Sequence, residues 1–600
     1  LPEVLRQAVG VQIKSLGGEF ATVSIRGSTA EQVIVYLDGV PLNHALGGGV
    51  NLADVPFVSL DSVTIYRGAT PAGLPEASIG GAVLLRSRAP AHGSGGSAFL
   101  GVGSYGSSET GGSWSFRHGT TDGMIAFDTA ASDGDFQYDD GNGTDFDPTD
   151  DETVTRINND FRRNHLSARA GSRAGNLNFT YGGDFFEREQ GVPGIANVQS
   201  PDSRLHTSRM LLHAGVEAPG LAGGALLLRG RLSYVSQDQE YDNSQADSGL
   251  IVRRSDNRLD STGLEAGGTW IASAHHGVGF LAAFRHETAD LHDRLFDPSE
   301  RAFADRDVLT ATVEDTIALA SGRVTVVPSL RHERWDSTLT PGPAPGVLPS
   351  ETSTSDAATT GKIGLRVRAA SNLEIRANAG SYLRVPDLLE LYGDQGAIVG
   401  NPALEPESGR NLDLGATLSF QRPGARFHDL LGTLSGFATD ADQMILFEAN
   451  SQSTVIARNT GAARIRGVEL DLGMALGARV TCGFNAVRQT AKDASGSYTD
   501  GNWLPMRARD EVSARAGLLA GRGRLAWEFT YVGPNFTDPS NNEAALLPSR
   551  YLHDLSYRWP VGAHMTATVE VRNVFDDLTV DVMRYPLPGR AFGGRLEWAF

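Results

Sequence analysis

Cysteine is nearly absent from this chain, which carries one, Cys482, among its 600 residues. A single thiol excludes an intrachain disulfide and a cysteine-based metal cluster. Long apolar runs are missing too, because no stretch approaches the roughly 20 apolar residues of a membrane helix. That second absence does not exclude a membrane protein, since the strands of a barrel distribute their apolar residues in alternation.

Charged residues are also sparse, at 20% of the chain, and the acidic excess gives a formal net charge of −19. This balance argues against nucleic-acid binding and leaves two explanations, a cationic partner or acidic surface loops that keep the protein soluble. We find no metal-protease, phosphate-loop or nucleophile-elbow motif, so the sequence does not predict an enzyme. Glycine is abundant, with 71 residues. The mean hydropathy of the whole chain is −0.21.

Alternation of apolar and polar residues dominates the chain beyond its first hundred residues. In residues 563–572, alanine, methionine and valine alternate with polar side chains, and residues 524–531 repeat the pattern. A strand with one apolar and one polar face suits a soluble sandwich or a barrel between lipid and a wet interior. The long series of such strands favours the barrel.

The connections between these strands indicate how many there are. Ten short turns alternate with longer polar segments such as 133–160, 189–205 and 336–356. Short turns at one rim and long loops at the other are typical of outer-membrane barrels. If both ends of the barrel lie at the short-turn rim, ten short turns imply eleven long loops and 22 strands, a number found in plugged transporters.

The first 92 residues have a different sequence pattern from the rest of the chain. Residues 1–11 predict a short amphipathic helix, and β-rich runs at 33–37, 62–66 and 82–85 are separated by turn-forming residues. A small-residue linker, APAHGSGGSA, follows Arg88. We therefore predict a small α+β domain over residues 1–92 and a barrel over 93–600.

Several motifs identify a family. "SIRG", "VYLDGVPLN", "SVTIYRG" and "SIGGAVLL" resemble, in order and spacing, the plug domain of TonB-dependent outer-membrane receptors of the siderophore and cobalamin type. "RVPDLLELYG…GNPALEPESGRNLDLG", "NTGAARIRGVELDLG" and the C-terminal "VEVRNVFDD…PLPGRAFGGRLEWAF" resemble their barrels. The resemblance implies an all-β membrane protein of the Gram-negative outer membrane. Its fold would be a 22-stranded antiparallel transmembrane β-barrel with the N-terminal α+β plug inside the lumen.

The resemblance also implies partners and cargo. It implies the inner-membrane TonB energy-coupling complex, a small metal-chelate substrate, outer-membrane lipid and the barrel-assembly machinery, with no required cofactor. The commonest cargo of the family is a ferric siderophore, and the compact plug sequence also resembles the cobalamin-receptor branch. A passive porin-like or adhesin barrel and an outer-membrane enzyme are the alternatives from other classes. The chain begins at Leu1 without a signal peptide or the family's TonB-binding segment, so we expect a processed or trimmed product.

An ionic cluster between plug and barrel is the most specific site that the resemblance implies. By motif, the plug arginines are Arg26 and Arg67, and the barrel glutamates are Glu407 and Glu469. Arginine suits this role because it pairs with a carboxylate in a bidentate and oriented way. Glu405 stands where relatives usually have a basic residue and would compete with Glu407 for an arginine. The alternative is an ordinary set of lumen salt bridges with no role in switching.

Substrate contacts are expected from two plug loops, residues 41–49 and 70–78, facing the long-loop rim. The candidate residues are Asn43, His44, Leu46, Leu74, Pro75 and Glu76. A lone histidine such as His44 is either a ligand contact or simply a polar loop residue. Many relatives have Tyr-Gly in place of Leu74-Pro75, so their substrate contacts do not transfer directly.

Segment 133–160 is the most acidic part of the chain, with ten acidic residues and one basic residue. Several carboxylates on a flexible loop suit Ca²⁺, although the spacing matches no EF-hand. The candidate ligands of such a structural calcium ion are Asp139, Asp140, Asp145, Asp147 and Asp150. The alternative is a solvated loop, which we expect outside the cell and mobile without ligand or cation.

Overall fold

The computed structural model describes residues 1–16, 20–44, 46–47, 49–55, 57–68, 70–88, 94–144, 149–245, 252–295, 300–340, 352–392, 398–421, 427–449 and 455–600. Within these ranges, no helix has the length and apolar character needed to cross a membrane.

The described residues of the N-terminal domain, called the plug below, form one helix and six strands. They are α1 Pro2–Arg6, β1 Val11–Ser15, β2 Ala21–Ile25, β3 Val33–Leu37, β4 Val40–Pro41, β5 Leu60–Arg67 and β6 Gly81–Ser87, with a 3-10 turn at Leu52–Asp54. Strands β4, β3, β6 and β5 form one sheet in that order, and β1 pairs with β2. All five side chains of β3 are buried, because this β-branched run lies between β4 and β6. Helix α1 is shorter than the helix expected over residues 1–11.

The turn after β3 explains one dipeptide of the plug sequence. Asp38 and Gly39 have φ angles of 50° and 82°, and they join β3 to β4 as a two-residue hairpin. Such a turn needs positive φ at both central positions, which Asp-Gly supplies at little cost. The turn therefore projects from the sheet at a fixed angle, toward the barrel wall.

Strands β7 to β37 and helix α2 are the regular elements of the described residues beyond the plug. In order they are β7 Gly95–Gly103, β8 Ser108–His118, β9 Thr121–Ser132, β10 Gln137–Asp140, β11 Glu152–Thr155, β12 Phe161–Ala174, β13 Leu177–Gly191, β14 Gly194–Ile195, β15 Val198–Gln199, β16 Arg204–Leu221, β17 Leu226–Asp242, β18 Arg254–Ile271, β19 His276–Asp293, β20 Glu300–Leu319, β21 Val324–Thr340, β22 Thr352–Ala370, β23 Leu373–Arg384, α2 Leu388–Tyr392, β24 Ile398–Val399, β25 Glu407–Phe420, β26 Phe427–Ala449, β27 Val455–Leu476, β28 Val480–Asp493, β29 Asp510–Ala520, β30 Gly523–Val532, β31 Asn535–Phe536, β32 Leu546–Leu547, β33 Arg550–Pro560, β34 Met565–Arg572, β35 Val580–Val582, β36 Tyr585–Pro586 and β37 Ala591–Ala599. Further 3-10 turns lie at Ala222–Gly224, Ala320–Gly322 and Glu543–Ala545.

Twenty-two of these strands form one closed antiparallel barrel within the described part of the chain, as predicted. The remaining strands are short pieces in the long connections. Strand β37 pairs with β7, from Gly593 opposite Gly103 to Ala599 opposite Ser97, and this pairing closes the ring. A closed sheet leaves no unpaired edge, which is the condition for crossing lipid with strands.

Burial along β20 shows why the sequence alternates. Ala302, Ala304, Arg306 and Val308 are buried, whereas Phe303 and Leu309 are 48% and 53% exposed. The buried set faces the lumen, where the plug covers it, and the exposed apolar set faces outward. The alternation therefore arises because one face of the strand contacts lipid and the other is covered by the plug, and not because the second face lines a water-filled channel.

The plug lies inside the lumen. Arg26 contacts β27, Asp54 contacts β13 and Thr70 contacts β22, so its contacts reach widely separated parts of the ring. The predicted location of the plug is therefore confirmed. The first barrel strand begins at Gly95, and residues 89–93 lie outside the described residues, so the boundary at 92/93 remains a prediction.

The two rims of the barrel differ. Connections such as 119–120, 175–176 and 371–372 make up one rim, called the short-turn rim. The opposite rim, called the long-loop rim, carries α2 and the small strand pairs β10–β11, β14–β15, β31–β32 and β35–β36. In outer-membrane barrels the long loops are extracellular, which fixes the orientation used below.

Candidate functional site

Glu469 of β27 holds two plug arginines at once. Its side chain is 1% exposed and accepts two hydrogen bonds from Arg26, Nε to Oε1 and Nη2 to Oε2, each of 2.9 Å. Arg67 Nη1 lies 3.2 Å from the same Oε2, and Ser435 Oγ donates to it at 3.1 Å. This bidentate and shared geometry fixes the position and the orientation of the plug relative to β27.

Local backbone structure places both arginines. Arg26 follows β2 with φ of 50°, and its guanidinium lies 4.7 Å above the ring of Phe437. Arg67 is the last residue of β5 and donates from Nη1 to the carbonyl of Val9 at 3.0 Å. A Cβ on Gly10 would come within 2.3 Å of Glu469 Oε1, so only glycine allows the plug to approach this closely.

Glu407 does not join this cluster, which corrects the expected four-residue arrangement. It accepts hydrogen bonds of 2.9 Å from Arg384 Nη2, from Gln32 Nε2 of the plug and from the Ile445 amide. The register explains the separation: Glu469 is opposite Ser435, and Ser435 is opposite Gly415, eight residues along β25 from Glu407. Eight residues of strand span about 26 Å, which is beyond the reach of one arginine.

Glu405 is also placed differently from the expectation. Its side chain is exposed, and its backbone amide donates to Asn459 Oδ1 at 2.8 Å near the long-loop rim. Among the described contacts, it does not compete for Arg26 or Arg67. The departure of this chain from the family motif at position 405 therefore lies away from the ionic cluster.

The residues around Glu407 form a second polar group, called here the apical network and defined by Gln32, Arg384, Asp387, Glu390 and Glu407. Arg384 donates to Glu390 at 2.9 and 3.1 Å, to Asp387 at 3.3 Å and to Glu407 at 2.9 Å. Burial, reinforced by the neighbouring Glu390, raises the pKa of Asp387 well above its usual range. The network joins the loop that carries α2 to the plug through Gln32.

An apolar contact accompanies this network. Leu46 of the plug packs with Leu388, Leu391 and Tyr392 of α2 and with lumen-facing residues near the long-loop ends of β18 to β21. A Cβ on Gly47 would come within 2.3 Å of Asp387 Oδ2, so the plug backbone touches this loop closely. Leu46 therefore lies toward the long-loop rim, where a substrate from outside would arrive.

The other candidates in residues 41–49 have structural contacts. Asn43 accepts from the Val35 amide at 2.8 Å and donates to the Val33 carbonyl at 3.0 Å, which ties the loop to β3. Burial lowers the pKa of His44 to about 4, so its imidazole is neutral at neutral pH. Its Nδ1 is buried without a hydrogen-bond partner among the described atoms.

Residues 70–78 do not face the long-loop rim, contrary to the expectation. The carbonyls of Leu74 and Pro75 accept from Arg331 at 2.6 and 2.8 Å, and Glu76 forms an ion pair with Arg285. Arg331 lies midway along β21, so these contacts are at the middle of the barrel wall. The loop is directed sideways because barrel arginines bind its carbonyls and carboxylate.

Sequence reasoning missed a set of barrel arginines that bind the plug on the wall opposite Glu469. Their shared property is a guanidinium directed at a plug turn, and they are Arg163, Arg169, Arg188, Arg209 and Arg231 on β12, β13, β16 and β17. Asp38 pairs with Arg169, and Asp54 Oδ1 lies 2.5 Å from Arg188 Nη1. We call this set the arginine wall.

The arginine wall reverses the polarity of the Glu469 site. There the plug supplies cations and the barrel a carboxylate, whereas here the plug supplies carboxylates and the barrel cations. Behind the wall, His165 lies between Asp184 at 2.6 Å and Asp128 at 3.3 Å, so the barrel adds buried polar groups of its own. Only knowledge of which alternate positions face the lumen could have selected these arginines from the sequence.

Substitution of Asp54 tests the arginine wall. We expect Asp54→Asn to lower the free energy of plug unfolding by about 3 kcal/mol, because Arg188 would lose its carboxylate in a site where it is 2% exposed. Urea-dependent labelling of a cysteine placed at buried Val35, in a Cys482→Ser background, measures plug unfolding. Asp61→Asn, at an exposed plug position, is the control. Equal effects of the two variants would contradict the prediction.

The acidic segment 133–160 is partly anchored. Phe136, Tyr138 and Arg156 are 3%, 2% and 1% exposed, and Arg156 donates to the Gly194 carbonyl of the next long loop. These contacts argue against the expectation that the whole segment is mobile. The β10–β11 hairpin supplies the backbone for them.

The calcium candidates in this segment remain a prediction. Asp139 accepts from Thr153 Oγ1 at 2.9 Å, Asp140 from the Asn142 amide at 3.0 Å, and Asp150 from Thr144 Oγ1 at 2.8 Å. Asp145 and Asp147 lie outside the described residues. In the described ranges, no three histidine, cysteine or acidic side chains converge on a metal-sized site.

Comparison with known proteins agrees with this architecture. Residues 1–82 match the family model of the TonB-dependent receptor plug domain, and residues 92–574 match the model described as TonB dependent receptor-like, beta-barrel. The vitamin B12 transporter BtuB of Photobacterium profundum is 23% identical over 619 residues, covering 100% of this chain and 90% of that protein. BtuB of Vibrio vulnificus (strain CMCP6) is 23% identical over 627 residues, covering 100% of this chain and 89% of that protein.

Solved structures show the same fold. The ferric citrate transporter FecA in its unliganded form has a TM-score of 0.83 at 17% identity, covering 100% of this chain and 94% of that one. The copper transporter OprC has a TM-score of 0.83 at 16% identity, with 100% and 95% covered. At these identities the likeness shows the fold alone.

Proposed function

The chain belongs to the TonB-dependent receptors of the Gram-negative outer membrane, which are transporters and not enzymes, and we propose that it imports a scarce metal chelate. The membership implies interaction with TonB and a small-molecule substrate. The finer proposal is capture at the long-loop rim followed by energy-dependent release into the periplasm. A ferric siderophore is the first candidate substrate.

The observation that carries the proposal is the occupied lumen. The plug is bound to β27 through Glu469, to β13 through Asp54 and to β21 through Leu74 and Pro75, so it contacts the wall on several sides. A diffusion pore has no use for a domain that fills its channel, which disfavours the porin-like alternative. A substrate must therefore wait above the plug until the plug moves.

Energy coupling follows from affinity. Capture of a scarce solute at nanomolar concentration requires a binding free energy of about 12 kcal/mol, which slows unaided release. External work on the plug would weaken the site at the moment of transport. A bound substrate must in turn favour one plug state over another, or its presence could not be signalled.

The apical network is the proposed route of that signal. A ligand that presses on α2 or Leu46 would disturb Arg384, which binds Glu407, and Glu407 in turn accepts a hydrogen bond from Gln32 of the plug. Gln32 also accepts from the Thr29 amide in the turn that follows Arg26. The long-loop rim and the Glu469 cluster are thus connected through a short stretch of plug.

Cobalamin is the second candidate substrate, because the full-length relatives with 23% identity are vitamin B12 transporters. Both candidates are bulky metal complexes that exceed the size suited to passive diffusion. The differences between this chain and its relatives in residues 70–78 do not decide between them, since this loop binds the barrel wall here.

A binding and uptake screen tests the proposal. The purified full chain is titrated with ferric catecholate, hydroxamate and citrate chelates and with cyanocobalamin, using quenching of its tryptophan fluorescence. We expect saturable binding of one class at submicromolar concentration, and uptake by cells that is lost without TonB. Metal-free chelators are the control. Uptake that persists without TonB would contradict active import, and binding of cyanocobalamin alone would replace the first candidate with the second.

A further inference from the structure

The outer face of β27 changes character at one level. Toward the short-turn rim its outward positions are Val468, Leu470, Leu472, Met474 and Leu476, which alternate with lumen-facing residues such as Glu469. The next outward positions toward the long-loop rim are Arg466 and Arg464. The nine-residue apolar stretch of a tilted strand spans about 20 Å along the membrane normal, close to the height of a lipid-facing band. The two arginines therefore lie where the apolar band ends.

Neighbouring strands also become cationic toward the long-loop rim. On β25, outward Leu412 and Leu414 are 57% and 59% exposed, and Arg410 follows them. On β28, Arg488 and Lys492 follow outward Phe484, and Arg488 lies opposite Val468, closer to the short-turn rim than Lys492. The register places Arg410 opposite Asp440, Asp440 opposite Arg464, and Arg464 opposite Lys492. Three of the four side chains in this cross-strand row are cations.

A groove runs below this row on the outside of the barrel. Its walls include Leu412, Leu414 and Val468, its floor includes Gly436 and Ala438, and Arg488 lies on its edge. The floor is low because β26 carries small outward residues between the leucines of β25 and the valine of β27. Two interstrand spacings give a width of about 10 Å, enough for an acyl chain.

The charge around the groove is unbalanced. Five cations are involved, Arg410, Arg464, Arg466, Arg488 and Lys492, against three carboxylates, Asp440, Asp442 and Asp510. Asp440 is shared, 2.9 Å from Arg466 and 3.5 Å from Arg464, and Asp510 is 3.7 Å from Arg488. Arg464 and Arg488 are 66% and 61% exposed, so their guanidinium groups are accessible from the membrane surface.

Other outward arginines differ from this set. Arg258 and Arg334 lie 3.0 and 3.2 Å from Asp260 and Asp336, which are two residues away on the same strands. Arg301 of β20 is paired with Asp290 of the neighbouring strand β19. These pairs are matched in charge, and they supply control positions with similar exposure.

We propose that the groove bounded by Leu412, Leu414 and Val468, with Arg464 and Lys492 above it and Arg488 on its edge, binds a phosphorylated glycolipid of the outer leaflet. One acyl chain would lie along the small-residue floor, and a phosphate would accept hydrogen bonds from the arginines. Arginine favours phosphate because its fork of donors matches two phosphate oxygens. The long-loop rim faces outward, where the leaflet consists of lipopolysaccharide, so this lipid is the occupant to which the charge and position point.

Binding of fluorescent rough lipopolysaccharide to the purified full chain in detergent tests the proposal. We expect the triple variant Arg464→Gln/Arg488→Gln/Lys492→Gln to weaken binding at least about tenfold, since charge-assisted phosphate contacts would be lost. The matched control is Arg258→Gln/Arg301→Gln/Arg334→Gln, which removes the same charge elsewhere on the outer face and should change binding less than twofold. Heat-modifiable gel mobility confirms that both variants contain a closed barrel.

Further binding measurements distinguish the contribution of the phosphate from that of the acyl chain, and lipopolysaccharide from other phosphorylated lipids. Dephosphorylated lipopolysaccharide should bind weakly to the native chain and should be insensitive to the triple variant. Ala438→Trp, which fills the groove and leaves the charges in place, should weaken binding of the intact lipid as well. Equal loss in the control variant, equal binding of the dephosphorylated lipid, or equal and variant-sensitive binding of phosphatidylglycerol would each overturn the assignment. The assay involves no imported substrate, so its outcome is independent of the transport proposal.

Discussion

Deletion of residues 1–88 is expected to leave a closed barrel with an open lumen, and so to replace gated import with unselective diffusion. Closure needs only barrel strands, because β37 pairs directly with β7 along seven residue pairs. The charged side chains that now contact the plug, such as Arg188 and Glu469, would become hydrated and would not oppose assembly. We expect large, continuously open conductances in planar bilayers and sensitivity of cells to large antibiotics.

The full chain, purified in the same way, is the control and should show only rare and small openings. Energy-dependent uptake of the substrate should disappear in the deletion variant, even though passive entry at high concentration rises. Failure of the truncated chain to give heat-modifiable mobility would show that the plug is needed for barrel closure. A closed barrel without conductance would mean that barrel loops, and not the plug, occlude the lumen.

The barrel was predictable because the alternation of apolar and polar residues is a property of each strand by itself. Alternation such as that in residues 301–310 follows from one face meeting lipid and the other meeting the plug, and every strand must obey it. Short turns follow from chain direction alone, so counting them gave the strand number. The position of the plug came from the family resemblance and not from any periodicity.

The site was less predictable because it depends on register. The structure brings Arg26, Arg67 and Glu469 together, and each of them lies at a fixed point of a short plug or strand motif. Glu407 was placed with them although the pairing of β25, β26 and β27 sets it eight residues away. No single-sequence feature carries the stagger between strands, which the closed ring imposes.

The contacts of residues 70–78 and of the arginine wall could not be predicted from the sequence either. The loop was expected to face the long-loop rim, yet Arg331 binds two of its carbonyls. Lumen arginines such as Arg188 resemble any polar residue of an alternating strand until the plug is placed beside them. Contacts between the plug and the barrel leave little trace in the sequence of either.

The Glu469 cluster is expected to control plug seating more than barrel stability. Glu469→Ala would leave Arg26, at 10% side-chain exposure, and Arg67, at 26%, facing the wall without their shared carboxylate. Breaking a buried pair from one side costs about 3–5 kcal/mol, and here this cost weakens the bound plug. We expect impaired uptake or raised passive leak, while heat-modifiable mobility and resistance of the barrel to denaturant remain unchanged.

A double-substitution cycle distinguishes a shared network from separate salt bridges. Arg67→Ala should act in the same direction as Glu469→Ala, and the double variant should be less than additive, because both changes remove the same interaction. Glu109→Ala is the matched control, since Glu109 pairs with Arg595 of the barrel at 3.2 Å and carries no plug contact among the described ion pairs. Leak and uptake are measured together in intact cells and in bilayers. Additive effects, or normal uptake without leak in a folded Glu469→Ala variant, would return the cluster to an ordinary set of lumen salt bridges, since a plug held mainly by the arginine wall would stay seated.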